Sequence, residues 1–432
     1  MTPTTEPTTL KVRLENVAPF TQLKSGVYNT KVGGTTPGPL APGDAFEFTF
    51  TAGKGQKLAF ASMLGQSNDW VFATAPGGFD LYENGVAISG DVTANISLWD
   101  VGTEVNEEPA VGAHTLPNQA SSVDGPGAAD PDSTVRRISS PTMLSNGTMF
   151  NVPAVSAMIR VTVTPNTATR EFTVRIQNVS NDASTMQTSQ GYKPVRVSPG
   201  VWTLSTGAET LFSSGVKDRG LGLEALAETG SVTQLSASVA SSTGTATPIS
   251  PGIFLVHQSS DTLFQVNKPD SNQGLERVAE EGNITPLYDT MKSWLASDAQ
   301  LGMFTTPEGA SAPGPAKPGS AYTFEVKAVP GDKLSLVTMF GMSNDWFFGT
   351  PPEGFALFDE AGMPLTGDFT SKLHLYDLGT ELSEELGIGP NTGPQQAAPN
   401  TGLADTDHNV REVASSGYAT PASTHLKLTI SR

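Results

Sequence analysis

The chain has no cysteine in 432 residues, which excludes disulfides, thiolate nucleophiles, iron–sulfur clusters and thiolate zinc sites together. Histidine is almost as scarce. The five residues His114, His257, His374, His408 and His425 are scattered, with no HxH or HExxH spacing. The pattern argues against a histidine-rich transition-metal site, so any metal should be held by oxygen. Basic residues are also few, 25 Lys+Arg against 43 Asp+Glu, for a formal charge of −18. Phosphate affinity rests on clustered cations, so nucleic acid and anionic membranes are poor partners and the natural small partner is a cation. No apolar run approaches the roughly 18 residues that a membrane-spanning helix needs. Met1 is not followed by the charged and apolar regions of a signal peptide.

What is abundant is turn-forming residues: 44 Gly and 32 Pro, with 37% hydrophobic and only 16% charged residues. That composition can bury a core and argues against a helical bundle. The length suggests two or three domains. Residues 1–9, MTPTTEPTT, read as a Thr/Pro tether too polar to fold. Such a tether commonly follows a removed signal, so the expected location is extracellular, periplasmic or cell-surface.

The chain repeats itself, and a repeat marks equivalent sites. Pro37-Gly38-Pro39, Pro42-Gly43, Lys57-Leu58, Met63 and Ser67-Asn68-Asp69-Trp70 recur as Pro313-Gly314-Pro315, Pro318-Gly319, Lys333-Leu334, Met339 and Ser343-Asn344-Asp345-Trp346. Trp99-Asp100-Val101-Gly102-Thr103-Glu104 returns as Tyr376-Asp377-Leu378-Gly379-Thr380-Glu381, and Asp130 and Asp132 as Asp405 and Asp407. A shorter repeat lies between: Ser198-Pro199-Gly200, Leu211-Phe212, Gly222-Leu223-Glu224, Ala227-Glu228 and Gly230 recur as Ser250-Pro251-Gly252, Leu263-Phe264, Gly274-Leu275-Glu276, Ala279-Glu280 and Gly282. The middle of this module reads as a short helix, with Asp218 or Ser271 capping its start and Gly230 or Gly282 its end.

Elsewhere the period is two, as in Phe46-Glu47-Phe48-Thr49-Phe50 and Phe172-Thr173-Val174-Arg175-Ile176, the mark of strands with one buried face. Short strands between Pro/Gly turns imply sandwiches. The expected fold is mainly β: two antiparallel β-sandwich domains in tandem with a few short helices. A polar stretch at Pro165-Asn166-Thr167 places the boundary, giving a first sandwich over 10–165 and a second over 166–432, the latter carrying modules 198–249 and 250–299.

The duplicated acidic residues sit in turns. Carboxylates gathered at one end of a sandwich repel unless a cation neutralises them, and calcium accepts six to eight oxygens at roughly 2.3–2.6 Å in adaptable geometry. In Asp100-Val-Gly-Thr-Glu104 the central Gly lets the chain fold round one ion, and Asp377 to Glu381 repeats this. The competing reading is that acidic turn residues only cap their own backbone.

Ser-Asn-Asp-Trp, followed by (Trp/Tyr)-Asp-x-Gly-Thr-Glu and accompanied by Ser-Pro-Gly, Leu-Phe and Gly-Leu-Glu-x-x-Ala-Glu-x-Gly, resembles the spondin N-terminal domain family. The resemblance implies extracellular calcium-binding β-sandwiches, found in animal matrix proteins and bacterial secreted proteins. It implies two Ca2+ sites, one on Asp69, Asp100 and Glu104 and one on Asp345, Asp377 and Glu381. Glu104 and Glu381 stand where animal members often have Asp. The first copy lacks the Ser-Pro-Gly module before its Pro-Gly strand and the second carries two, so the module from 198 is expected to dock on the first sandwich, a partial permutation.

Other residues give weaker signals. Trp70, Trp99 and Trp346 either form a ligand-stacking surface or pack beneath the acidic loops. Asn95, Asn146, Asn178 and Asn283 lie in Asn-x-Ser/Thr sites, and His257 reads as a core histidine. There is no Gly-x-Ser-x-Gly elbow, no phosphate loop and no Ser/His/Asp set shared by the copies, so the chain is read as a binding protein and not an enzyme. The expected role is adhesion or matrix binding to an extracellular protein or glycan. The rivals are a subunit of a calcium-dependent fibre or array built by self-association, and a carbohydrate-binding module.

Overall fold

The computed structural model describes residues 6–116, 118–119, 125–258, 262–295, 299–413 and 420–432. It is mainly β, with short helices, and divides into two compact units: 21–244, and the residues up to 20 together with 245–432.

In the unit 21–244, one sheet runs Arg136–Arg137, Ile96–Asp100, Trp70–Thr74, Lys57–Leu64, Val197–Ser205 and Lys24–Tyr28. The other runs Ala45–Thr51, Glu171–Asn178, Ile159–Asn166 and Gly90–Asp91. Alternate residues of the two sheets meet in one core: Phe46, Phe48, Phe50, Phe172 and Val174 on one side, Leu58, Phe60, Trp70, Phe72 and Trp202 on the other. The opposite face of the larger sheet offers small side chains, Ala59, Ala61, Val71 and Ala73, on which the helices Leu223–Thr229 and Thr233–Ser241 place Leu223, Leu226, Leu235 and Val239. Covered on both faces, Lys57–Leu64 is buried from its second residue onward, whereas Ala45–Thr51 alternates. A strand buried on both faces reads as a continuous apolar run and one with a wet face as alternation.

The second unit repeats this plan. Its larger sheet runs Gln300–Phe304, Ile249–His257, Lys333–Phe340, Trp346–Gly349, His374–Asp377 and Arg411–Glu412. The helices Leu275–Glu281 and Thr285–Trp294 pack Leu275, Val278 and Leu287 on Ile253, Leu255 and Val337. Its smaller sheet runs Ala321–Ala328, Thr8–Asn16, Leu426–Ser431 and Gly367–Asp368. The N-terminal strand thus holds the place that Glu171–Asn178 holds in the other unit.

The expected division at 165/166 is therefore corrected. Ile159–Asn166 and Glu171–Asn178 form one hairpin, paired from Ile159↔Asn178 to Asn166↔Glu171. The polar stretch is its turn: Asn166 Oδ1 accepts the N–H of Ala168 at 3.1 Å. A polar turn and a polar linker have the same composition, and only the pairing separates them. The first strand also begins at Thr8, inside the expected tether, while residues 1–5 lie outside the described residues. The module from 198 packs its Leu223 and Leu226 on residues 59–101. Unit 21–244 is accordingly a permuted copy inserted after the first strand of the other.

A further repeat explains the exchange. Val12-Arg13-Leu14-Glu15-Asn16 and Val174-Arg175-Ile176-Gln177-Asn178 are the same strand twice. Fully buried Asn16 donates to Thr247 O at 2.8 Å and Ala316 O at 3.1 Å. Equally buried Asn178 donates to Val195 O at 2.9 Å and Leu40 O at 3.2 Å. The Asn178 Asn-x-Ser site is thus a structural clamp.

The Ser-Pro-Gly motif marks a bulge, where register shifts between Val197 and Gly200 and between Ile249 and Gly252. Ser198 Oγ accepts Met63 N–H at 2.8 Å and Ser250 Oγ accepts Met339 N–H at 3.0 Å. A Cβ on Gly200 would stand 2.3 Å from Ala61 O, so only glycine fits. The helix ends are as expected, with Gly230 and Gly282 left-handed at φ 71° and 67°, but the starts are not. Gly222 and Gly274 precede the first turns, and Asp218 instead accepts Gly220 N–H at 3.0 Å.

Candidate functional site

The acidic loops lie at one end of each larger sheet. Asp69 follows the turn after Lys57–Leu64, where Ser67 Oγ accepts Trp70 N–H at 3.0 Å and Asn68 Nδ2 donates to Val105 O at 2.9 Å. The Ser-Asn pair is therefore scaffolding that aims the aspartate. Asp100 ends its strand opposite Trp70, so antiparallel pairing brings Asp69 and the Asp100–Glu104 loop together. Asp69 Oδ2 accepts the N–H groups of Thr103 and Glu104 at 3.0 and 3.2 Å. Its Oδ1 is buried with no partner.

Asp100 is hydrogen-bonded through both oxygens. Oδ1 accepts Gly102 N–H at 2.7 Å, while Oδ2 takes Asn106 Nδ2 at 2.8 Å and Arg136 Nη2 at 2.6 Å. Gly102 is required at φ +74°, since a Cβ would lie 2.7 Å from Thr134 O. Glu104 Oε1 accepts Gly127 N–H at 2.5 Å.

The second unit repeats the arrangement, with Ser383 in the place of Asn106. Asp345 Oδ2 accepts Thr380 and Glu381 N–H, both at 3.0 Å, and its Oδ1 is again without a partner. Asp377 takes Gly379 N–H at 2.8 Å, Ser383 Oγ at 3.2 Å and Arg411 Nη2 at 2.7 Å. Glu381 Oε1 accepts Gly402 N–H at 2.6 Å, and its Oε2 is unpartnered.

The structure adds one acid per unit that the sequence reading left as helix. Glu228 and Glu280, each 1% exposed, reach the loops from their helices. Glu280 Oε1 accepts the Thr380 hydroxyl at 3.0 Å and Oε2 accepts Asn400 N–H at 2.8 Å. Glu228 Oε2 accepts Gly125 N–H, and Oε1 has no partner. The signal was present in Ala-Glu-x-Gly, a charged residue kept on an otherwise apolar helix face in both copies.

Burial drives the electrostatics. It pushes Asp69 well above the usual carboxylate range, reinforced by the Asp100 charge, and Asp345 to about 7, reinforced by Asp377. Burial likewise pushes Glu228 and Glu280 to about 7, and raises Glu104 and Glu381. Asp100 and Asp377 are raised by burial, against the pull of Asn106 and Arg136 in one and Arg411 in the other. Among the described residues, no three His, Asp or Glu side chains are grouped so as to hold a metal ion as they stand. What recurs is a buried carboxylate oxygen on Asp69 and on Asp345 with no donor. A buried acceptor without a donor is costly, and oxygen donors of this kind suit a hard cation or a proton.

The tryptophans pack. Trp70, Trp99 and Trp346 are 0%, 2% and 8% exposed, leaving no stacking platform at the loops. His257 is buried, with Nε2 3.1 Å from Ser335 Oγ.

The family model Spondin_N, the spondin N-terminal domain, matches residues 245–385. The match opens where the second part of its unit opens and takes in Glu280, Asp345, Asp377 and Glu381. No curated protein matches the chain.

Proposed function

We propose that this chain, with a spondin N-terminal domain over residues 245–385, works outside the cell as an adhesion- or matrix-binding protein whose two units each take up calcium. The spondin family is typically extracellular and is not an enzyme family. Among the described residues no helix is long and apolar enough to cross a membrane. The observation that carries the calcium reading is the same unpartnered buried oxygen in both units, Asp69 Oδ1 and Asp345 Oδ1.

Asp69, Asp100 and Glu104, with Glu228, would hold one ion, and Asp345, Asp377 and Glu381, with Glu280, the other. Bound calcium would supply fixed positive charge and stiffen the loops. Thr103 and Thr380 orient the aspartates through backbone N–H groups, and Arg136 and Arg411 hold the second carboxylates in place. Binding to the folded state alone stabilises it by about 2.7 kcal/mol at a hundredfold excess over Kd.

Isothermal titration of the chelator-treated chain with calcium tests this. Two ions per chain are expected, falling to one in Asp69→Ala and in Asp345→Ala. No binding heat and no shift in melting temperature would defeat the calcium reading. Pull-down from an extracellular extract, with and without calcium, tests the adhesive role.

A further inference from the structure

The permuted order gives unit 21–244 a segment its counterpart lacks. Between Glu171–Asn178 and Val197–Ser205 the chain makes a hairpin, Met186–Thr188 with Gly191–Lys193. In the other unit the corresponding join is where the insertion sits, after residue 20. Gln190 and Lys193 of the hairpin and the stretch to Arg196 line a cavity of about 770 Å³ together with Pro39, Met63, Pro199 and Gln66. The equivalent place in the second unit, beside Pro315, Met339 and Pro251, holds only about 240 Å³ and is lined by Glu280 and Glu281.

Size and charge both differ between the copies. On a chain of formal charge −18, the ionisable groups lining the larger cavity are two cations, with no Asp or Glu among the described residues that line it. Arg196 is partly committed, with Nη1 3.2 Å from Asp182 and 2.9 Å from Val195 O. Lys193 Nζ donates to Gln190 Oε1 at 3.3 Å and, among the described residues, pairs with no carboxylate. The neighbouring hydroxyls are consumed, Ser198 Oγ by Met63 N–H and Pro199 O, and Thr229 Oγ1 by Ala225 O. Apolar lining residues beside one ammonium that pairs with no carboxylate among the described residues suit a ligand with an apolar body and one anionic head. The volume falls within the roughly 300–1,000 Å³ of small-molecule sites.

We propose that this cavity binds a small amphipathic anion, an acyl or aryl carboxylate or sulfonate, with its head at Lys193 and its body on Pro39, Met63 and Pro199. The site lies within unit 21–244 and borders its acidic loop: Gly65 and Gln66 precede Asp69, and Thr229 follows Glu228.

The full chain is titrated with 1-anilinonaphthalene-8-sulfonate, followed by fluorescence, in calcium and in EDTA. One saturable site is expected under both conditions. Dodecanoate should displace the probe, and dodecyltrimethylammonium should not. Lys193→Glu, on the hairpin, should weaken dodecanoate at least tenfold, Lys193→Gln less. Thr229→Trp, which fills the cavity without changing charge, should abolish binding while near-UV circular dichroism shows the fold kept. Absence of a saturable site, equal competition by the cationic amphiphile, or undiminished affinity in Lys193→Glu would overturn the proposal.

Discussion

Arg136 Nη2 lies 2.6 Å from Asp100 Oδ2, and the same nitrogen lies 2.6 Å from Asp130 Oδ2. Arg411 repeats the arrangement with Asp377 and Asp405. With Asp132 at 3.7 Å from Arg136 Nη1 and Asp407 at 3.9 Å from Arg411 Nη1, one guanidinium thus compensates three carboxylates at each acidic loop, while the neighbouring Asp69 or Asp345 has only backbone N–H and threonine hydroxyl donors on one oxygen.

Removing that cation should be costly. Breaking a buried pair by deleting one partner typically costs 3–5 kcal/mol. Arg136 keeps 28% side-chain exposure, so Arg136→Ala is expected at the lower end, about 3 kcal/mol. Urea unfolding followed by tryptophan fluorescence checks this, and Arg136→Lys should recover part of the loss. A midpoint equal to the parent's would show that Asp100 is held by Gly102 and Asn106 alone.

The raised carboxylates make a pH prediction with a definite sign. Asp345, Glu228 and Glu280 sit at about 7 in the fold because of burial, against roughly 4 in an unfolded chain. The native state therefore binds more protons than the unfolded state between these values, so stability falls as pH rises from roughly 4 to 7 and then levels. In EDTA the melting temperature should be higher at pH 5 than at pH 8. Calcium should shrink or reverse the difference, because it favours the ionised form. A chelated protein that melts higher at pH 8 would count against this electrostatic account.

Glu228→Gln and Glu280→Gln separate charge from packing. Each substitution keeps the shape but removes a buried negative charge facing Glu104 or Glu381. Without calcium the variants should be at least as stable as the parent. With calcium each should bind one ion more weakly, by tenfold or more. Unchanged calcium isotherms would confine these glutamates to helix anchoring.

The domain division predicts which fragment folds. Residues 21 and 244 are tied at the same edge: Thr21 N–H donates to Ser242 O at 3.0 Å and Gly244 N–H to Gln22 O at 2.9 Å. Fragment 21–244 should unfold cooperatively by itself, whereas 1–165 lacks Glu171–Asn178, Val197–Ser205 and both covering helices. Leu226→Ala in the folded fragment should cost about 2–5 kcal/mol, as for other buried leucines. Cooperative unfolding of 1–165 would contradict the permuted order.

Much of this was readable beforehand. Alternation in Ala45–Thr51 and the apolar run of Lys57–Leu64 carry their own burial patterns, because side-chain direction in a strand is fixed by the backbone. The duplicated Asp69, Asp100 and Glu104 pointed to one end of the sheet, and pairing of Trp70 with Asp100 places them there. Glu228 and Glu280 stand out in the sequence only as charged residues on an apolar helix face, because helical spacing does not tell which loop that face meets.

By itself, then, the sequence determined the inventory: alternating strands with one buried face, a repeated Ser-Pro-Gly motif, one short helix per module, and two sets of acidic turns. Tertiary structure alone decided the assignment. Thr8–Asn16 and Glu171–Asn178 offer nearly the same side chains and the same buried asparagine, and ladder hydrogen bonds join backbone groups that every residue shares. Which strand completes which sheet is therefore settled by the fit of whole faces across long sequence separations, beyond the reach of any local pattern.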